Sequence, residues 1–128
     1  MKPEDSNIIL DKTFAFAVRI VNLYKYLTIS ASQKEFVISK KLLRSGTSIG
    51  ANAEEAIGGI SAADFINKLS IAYKEARETN YWIRLLQKTG YLSELETQSL
   101  LTDLDDISNI LAKIQITTKN NIQKKNNS

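Results

Sequence analysis

The periodic placement of apolar side chains between residues 65 and 86 constrains the fold of this chain more than any other feature. Seven positions there alternate steps of four and three residues: Phe65, Leu69, Ala72, Ala76, Thr79, Ile83 and Leu86. Steps of this size keep side chains on one face of an α-helix. Ser61 and Asp64 resemble a capping box before the pattern, and Gly90 supplies a left-handed stop after it. We therefore predict an amphipathic helix over residues 62–89.

Three other segments show helical spacing with few breaks, since the chain has one proline and five glycines. We predict helices over residues 9–28, from Lys34 to the glycine pair at 58 and 59, and from the Ser93 capping box to Lys119. Short connections between four helices make sequential neighbours antiparallel. The expected fold is all-α, an antiparallel up-down-up-down four-helix bundle.

The two ends of the chain are expected to lie outside this bundle. We expect residues 1–8 to form a flexible N-terminus, residues 9–119 the bundle, and residues 120–128 a disordered basic tail with almost nothing to bury. The net charge of +3 rests on four lysines in the last sixteen residues, which contain no acid: Lys113, Lys119, Lys124 and Lys125.

The first predicted helix carries apolar residues on more than one side. One stripe consists of Phe14, Val18 and Val21. A second stripe consists of Phe16, Ile20, Leu23 and Leu27. This is wide for a helix that contacts a single core. Either the helix has a second buried surface, or a wide stripe faces two neighbours inside one bundle.

The stretch "LLRSGTSIGANAEEA", residues 42–56, places two glycines inside the second predicted helix. Each costs about 1 kcal/mol relative to alanine. A phosphate-binding loop requires a lysine and a preceding strand that are missing here, and a nucleophile elbow requires a histidine. We interpret Gly46, Gly50 and Ala53 as a close-packing face that lets another helix approach.

Two polar residues of the same stretch, Ser45 and Asn52, fall at core-type positions. An unpaired buried polar group costs about 1–3 kcal/mol, so both residues need hydrogen-bond partners. Arg44, Glu55 and the polar residues of the third helix are the candidates.

The composition excludes several kinds of chemistry, because the chain contains no histidine and no cysteine. We expect no catalytic residues, no metal ligands and no cofactor, and therefore no enzymatic activity. The opening "MKPEDSNIILDK" has no apolar run of signal-peptide length, and no segment approaches ~18 consecutive apolar residues. We expect a cytoplasmic protein that does not bind a membrane.

Two groups of side chains are candidates for binding nucleic acid. Steps of three and four residues place one group on a single face of the third helix: Lys74, Arg77, Tyr81, Arg84 and Lys88. The second group lies within little more than one turn of the second helix: Lys40, Lys41 and Arg44. Cations bind phosphates, and an aromatic ring stacks on a base. The alternative is an ordinary ion-pair face, in which Lys74 pairs with Glu78.

The residues also resemble a known family. "LLRSGTSIGANAEEA", "DFINKLSIAYKEARETNYWIRLL" and "TTKNN" are similar to bacterial four-helix-bundle proteins encoded in intervening sequences of large-subunit ribosomal RNA genes, a family that includes the accessory protein of diversity-generating retroelements. The resemblance covers residues 10–121. Ala53 stands where the family commonly has a bulky aliphatic residue, and Glu54 where it often has a small one.

This resemblance implies a ring, which in the known examples is a homopentamer. It also implies that the retroelement relatives bind nucleic acid and a reverse transcriptase through basic ring surfaces. Two hypotheses follow for this chain. It is a non-enzymatic, ring-forming protein that binds DNA or RNA, with a reverse transcriptase as a further expected partner, or it is a protein–protein scaffold whose cations serve oligomer or partner contacts.

Overall fold

The structure is a computed structural model that describes residues 3–30 and 33–127. It is all-α, and the described residues contain no strand. The four helices are α1 (Pro3–Ile29), α2 (Val37–Ile57), α3 (Ala62–Lys88) and α4 (Glu94–Asn127). The predicted four-helix fold is thus confirmed, and the bounds of α3 agree with those expected from its periodicity.

The four helices enclose one apolar core. Each helix packs on the next along the chain, and α4 also packs on α1, which closes the bundle. The largest completely buried side chains come from all four helices and include Phe16, Ile20, Leu42, Ile49, Leu69, Ile83, Leu104 and Leu111. The apolar periodicity therefore marks the residues that drive folding by leaving water.

Ion pairs and close contacts show how neighbouring helices are aligned. Lys12 of α1 binds Asp106 of α4, and further along α1 Arg19 binds Asp103. Residue numbers thus rise along α1 while they fall along α4. The same reversal holds between α2 and α3, where Arg44 pairs with Glu75 and Glu55 with Lys68.

The helix ends follow capping chemistry. The Ser61 side chain accepts a hydrogen bond from the backbone N–H of Asp64 at 3.1 Å, and the Ser93 side chain accepts one from Glu96 at 3.1 Å. Gly90 has a φ of +92°, as expected for a left-handed stop.

Helix α2 begins at Val37 and not at Lys34, because Glu35 supplies its cap. The Glu35 carboxylate accepts hydrogen bonds from the backbone N–H groups of Val37, Ile38 and Ser39. The first backbone N–H groups of a helix have no acceptor within the helix, so the carboxylate satisfies them. A glutamate in this role is less common than serine or aspartate, and the sequence pattern did not reveal it.

Both ends of the chain are more helical than expected. Helix α1 already begins at Pro3, and the completely buried Ile9 anchors its first turns. Helix α4 does not end near Lys119 but continues to Asn127, which corrects the expected disordered tail over residues 120–127. The segment contains no glycine or proline to stop the helix, and Lys124 and Lys125 in its last turn favour the negative end of the helix dipole. Residues 1, 2 and 128 lie outside the described residues.

Candidate nucleic-acid interface

The glycines of α2 lie against α1. A Cβ atom at Gly46 would stand 2.8 Å from Cγ1 and 2.9 Å from Cγ2 of Ile20, closer than side chains pack. A Cβ atom at Gly50 would stand 3.4 Å from Thr13, an ordinary contact, and Ala53 is completely buried. Absence of a side chain at residue 46 therefore allows the two helices to approach. This face is a packing surface within one chain, and nothing about it suggests a ligand.

The two polar residues of this stretch have different environments. Ser45 is completely buried, and its Oγ accepts a hydrogen bond from the hydroxyl of Thr79 in α3 at 2.9 Å. Asn52 is only half-buried, which corrects its predicted place in the core. Its Nδ2 donates to the carbonyl of Ser48 in its own helix at 2.8 Å, so it needs no partner from α3.

Arg44 connects α2 to α3. Its guanidinium lies 3.2 Å from Oε2 of Glu75, which is buried, and also pairs with Glu78. The Glu78 carboxylate in addition accepts a hydrogen bond from Nε1 of Trp82 at 2.9 Å. Glu78 thus pairs with Arg44, and it does not form the pair with Lys74 on which the alternative ion-pair interpretation of this face depended. The predicted role of Arg44 as a phosphate ligand is not favoured, because two carboxylates of α3 already neutralise its charge.

The pKa values in this cluster follow from the same contacts. The hydrogen bond from Trp82, followed by the one from Arg44, lowers the pKa of Glu78 below its ordinary value. The hydrogen bond to Glu78 raises the pKa of Arg44. Arg44 and Glu78 thus keep the charged forms that hold α2 against α3.

The other two cations of the α2 group remain exposed. Lys40 and Lys41 both face solvent, and the Nζ atom of Lys41 lies 5.6 Å from the centre of the Trp82 ring. Within the described ranges, neither lysine forms an ion pair with a carboxylate. The α2 group is therefore divided by ion pairing, with one arginine bound to carboxylates of α3 and two lysines that pair with no carboxylate of the described residues.

The α3 group is brought together on the outer face of its helix. Lys74, Arg77, Arg84 and Lys88 are all exposed. The Tyr81 ring among them is 50% exposed, and it packs edge to face against Trp82 with ring centres 5.0 Å apart. The Arg84 guanidinium lies 5.9 Å from the centre of the Tyr81 ring, and its Nε donates to Oδ1 of Asn80 at 2.7 Å.

A polar groove separates this face from α4. Arg77 and Arg84 line its α3 side together with Asn80, and Asp105 and Asn109 line its α4 side. Over residues 3–30 and 33–127, neither Arg77 nor Arg84 forms an ion pair within 4.0 Å, although Asp105 lines the same groove. The α3 cations thus project donors toward solvent.

The sequence pattern did not reveal the carboxylates that engage Arg44. Glu75 and Glu78 lie three residues apart on the side of α3 that faces α2. Their spacing to each other was visible in the sequence, but their partner lies on another helix 31 and 34 residues away. Only the alignment of α2 with α3 identifies that pair.

Two further features are absent from the described residues. No group of three or more aspartate, glutamate, histidine or cysteine side chains is placed to hold a metal ion. None of the four helices, as far as they are described, combines the length and apolar character needed to cross a bilayer.

Comparison with known proteins identifies relatives. The family described as 23S rRNA-intervening sequence protein matches residues 5–113. Among curated proteins, none matches significantly. A crystal structure of a protein of unknown function from Bacteroides thetaiotaomicron, assigned to the S23 ribosomal protein family, is 53% identical in sequence. It superposes with a TM-score of 0.83 and covers 87% of this chain and 97% of its own.

The family match extends over all four helices, from α1 to the middle of α4, and the similar crystal structure has the same architecture. The chain therefore belongs to the family of 23S rRNA-intervening sequence proteins.

Proposed function

We propose that this protein binds nucleic acid without enzymatic activity, through the outer face of α3. One observation carries the proposal. The cations Lys74, Arg77, Arg84 and Lys88 are exposed, and none of them forms an ion pair among the described residues. The cations that do form ion pairs lie elsewhere on the bundle: Lys12, Arg19, Arg44 and Lys68.

The length of the cationic face suits a phosphate backbone. Lys74 and Lys88 are separated by fourteen residues of α3, which corresponds to roughly 21 Å at 1.5 Å per residue. A nucleic-acid duplex carries phosphates every ~3.4 Å along each strand, so this distance spans about six nucleotide steps. Cations without carboxylate partners release counterions from the nucleic acid when they bind, and that release supplies most of the binding free energy.

The description of the family supports a nucleic-acid context, since it refers to an intervening sequence of 23S rRNA. The exposed lysines of α2 extend the same surface, because Lys41 contacts Trp82 beside Tyr81. Lys40 and Lys41 are therefore secondary contacts in this proposal, and Arg44 serves the architecture.

Self-association is the second part of the proposal. Phe14 and Val18 lie one turn apart on α1 and are 68% and 46% exposed, although both are large and apolar. Neighbouring exposed apolar side chains on one helix face favour contact with another copy. We propose an up-down-up-down bundle that assembles into a homopentameric ring, in which repeated weak cationic faces bind one polyanion with increased avidity.

The same strip favours one alternative. If the strip of Phe14 and Val18 contacts a different protein, the chain is a scaffold, and its α3 cations serve partner carboxylates instead of phosphates. The scaffold hypothesis predicts that neutral substitutions on α3 weaken assembly or partner binding and leave nucleic-acid affinity unchanged.

The direct test is fluorescence anisotropy of labelled DNA and RNA at about 50 and 200 mM salt. With four phosphate contacts per chain, affinity for a single strand falls by roughly 50-fold between these concentrations. Arg77→Gln with Arg84→Gln reduces the slope of log K against log salt by about 1.4, since each contact contributes ~0.7.

The matched control removes two cations from other helices, Lys25→Gln with Lys113→Gln. Both are exposed, and neither forms an ion pair with a described residue. This control changes the net charge by the same amount, so a general charge effect lowers the affinity of both variants equally. Equal affinities of the two variants, or no binding by the unaltered protein, would refute the proposed interface. A shortened chain that ends at Asn120 tests whether the lysines at the end of α4 account for the binding.

A further inference from the structure

We infer that Tyr81 is a stacking platform for an unpaired base, and that the protein consequently binds single-stranded or looped nucleic acid in preference to a duplex. The inference rests on the proposed function and specifies the ligand of the same surface. Its basis is a row that crosses from α2 to α3, in which two aromatic rings lie between two cations.

The row has four members at regular distances. Lys41 Nζ lies 5.6 Å from the Trp82 ring centre, the Trp82 and Tyr81 ring centres are 5.0 Å apart, and the Arg84 guanidinium lies 5.9 Å from the Tyr81 ring centre. Cations thus flank an aromatic pair on both sides. Single-stranded nucleic acid offers the complementary pattern, with bases for the rings and phosphates for the cations.

Tyr81 leaves ring surface open for a ligand. Half of the residue is exposed to solvent, in contrast to Trp82, which is half-buried against its neighbours. The aromatic pair has an interplanar angle of 76°, so the two rings do not stack face to face with each other. A base stacks on an exposed tyrosine face whatever its identity, since every base has a π surface.

The neighbours of this ring are already held in place. Trp82 donates its Nε1–H to Glu78, and Glu78 is paired with Arg44. On the other side, Arg84 Nε donates a hydrogen bond to Oδ1 of Asn80, which holds this exposed guanidinium beside the Tyr81 ring. Side chains that are ordered before binding lose little conformational entropy when the ligand arrives, so the contacts are more favourable.

A shallow depression continues from the ring along α3. It is lined by Tyr81, Arg84 and Leu85 and, one turn further, by Gln87 and Lys88. A nucleotide whose base lies on Tyr81 thus has cations within reach of the phosphates on either side.

A duplex does not use this arrangement, because both faces of every internal base are covered by its stacked neighbours. A duplex contacts the cations of α3 through phosphates alone, and Tyr81 contributes nothing to its affinity. This difference separates the inference about stacking from the more general proposal of phosphate binding.

The test compares single strands and duplexes of equal length, about 20 nucleotides, at one salt concentration. Oligothymidylate and oligouridylate distinguish DNA from RNA. We expect Tyr81→Leu to weaken binding of the single strands by about five- to a hundredfold and to leave duplex affinity unchanged. Tyr81→Phe keeps the ring and retains the affinity for single strands.

Trp82 gives a second readout, because it is the only tryptophan in the chain. Its emission reports on a ring 5.0 Å from Tyr81. We expect the emission to be quenched by single strands and to be unchanged by a duplex. Tyr26→Leu is the matched control, since Tyr26 is 48% exposed and lies on α1, away from the row.

The outcomes separate the two proposals. Equal loss of single-strand and duplex affinity in Tyr81→Leu, or no loss for either, overturns the stacking inference. If Arg77 and Arg84 still control binding in that case, the proposed function stands. If the unaltered protein binds neither single strands nor duplexes, both proposals are overturned together.

Discussion

Gly46 of α2 lies in direct contact with Ile20 of α1, so that no methyl group fits between them. A Cβ at residue 46 would stand 2.8 Å from Cγ1 of the isoleucine, which is completely buried and branched at its own Cβ. The glycine is therefore required by the separation of two helices, which offsets its cost of about 1 kcal/mol in helix propensity.

Gly46→Ala should destabilise the protein by up to about 2 kcal/mol. The added methyl group displaces Ile20 within a packed core, and overpacking of this kind costs about 1–3 kcal/mol before the gain in helix propensity is subtracted. Urea unfolding followed by circular dichroism measures the change.

Gly50→Ala is the matched control in the same helix. A Cβ there stands 3.4 Å from Thr13, so it fits without displacing a neighbour. We expect an unchanged stability or a gain of up to about 1 kcal/mol from helix propensity. Equal destabilisation by the two alanines would contradict the assigned packing role. The cost of Gly46→Ala should also shrink when Ile20→Ala removes the opposing atoms.

Arg44→Gln should lower stability without weakening nucleic-acid binding. Loss of the guanidinium leaves the buried Glu75 without its cation and Glu78 with Trp82 as its remaining partner. We expect a cost of about 1 kcal/mol, well below that of a fully buried pair, because Arg44 itself is partly exposed. Anisotropy at fixed salt and a urea titration of the same variant separate the two effects. A variant of normal stability with reduced affinity for nucleic acid would show that Arg44 contributes to nucleic-acid binding.

The periodicity of apolar side chains determines most of what the sequence predicts about the fold. The stripe from Phe65 to Leu86 specified α3 to within one residue, because caps at Ser61 and Gly90 follow local rules. The extension of α4 to Asn127 was missed, since that segment buries little and its helix depends on the absence of stop signals. Expected apolar burial is a poor guide to helix ends of this kind.

The candidate interface was predicted in part. Spacing alone placed Lys74, Arg77, Tyr81, Arg84 and Lys88 on one exposed face of α3. The ion pairs of Arg44 were not predictable, because the two carboxylates that neutralise its charge lie on another helix. Local sequence identifies cations that share a face, and only tertiary alignment shows which of them remain without a carboxylate.

If the proposed homopentamer forms through the α1 strip, Phe14→Glu should reduce it to monomers. The residue is 68% exposed in the single chain, so a glutamate there costs the fold little and introduces a desolvated charge into the proposed contact. Light scattering measures the mass, which for a pentamer is five times the 14.3 kDa of the chain.

The control for this change is Leu95→Glu in the first turn of α4. Leu95 is 83% exposed, and acidic residues at a helix N-terminus are favourable. This variant should keep the mass of the unaltered protein. An unchanged mass in Phe14→Glu would exclude this strip as the contact between copies.

Acid should weaken the protein in part through Glu35. Burial acts to raise the pKa of this carboxyl group, but hydrogen bonds from the backbone N–H groups of Ile38, Ser39 and Val37 outweigh it and lower the pKa below 4.5. A lowered pKa in the folded state means that the ionised carboxylate stabilises the fold fully above the unfolded pKa, and that this contribution is lost as the pH falls through the folded pKa.

Glu35→Gln should therefore cost about 1 kcal/mol near pH 7, as loss of a helix cap does. The urea midpoints of variant and unaltered protein should converge as the pH falls through the lowered pKa of the folded state, below which the glutamate is protonated in both states. Midpoints that differ by a constant amount at every pH would show that the carboxylate charge does not support the cap.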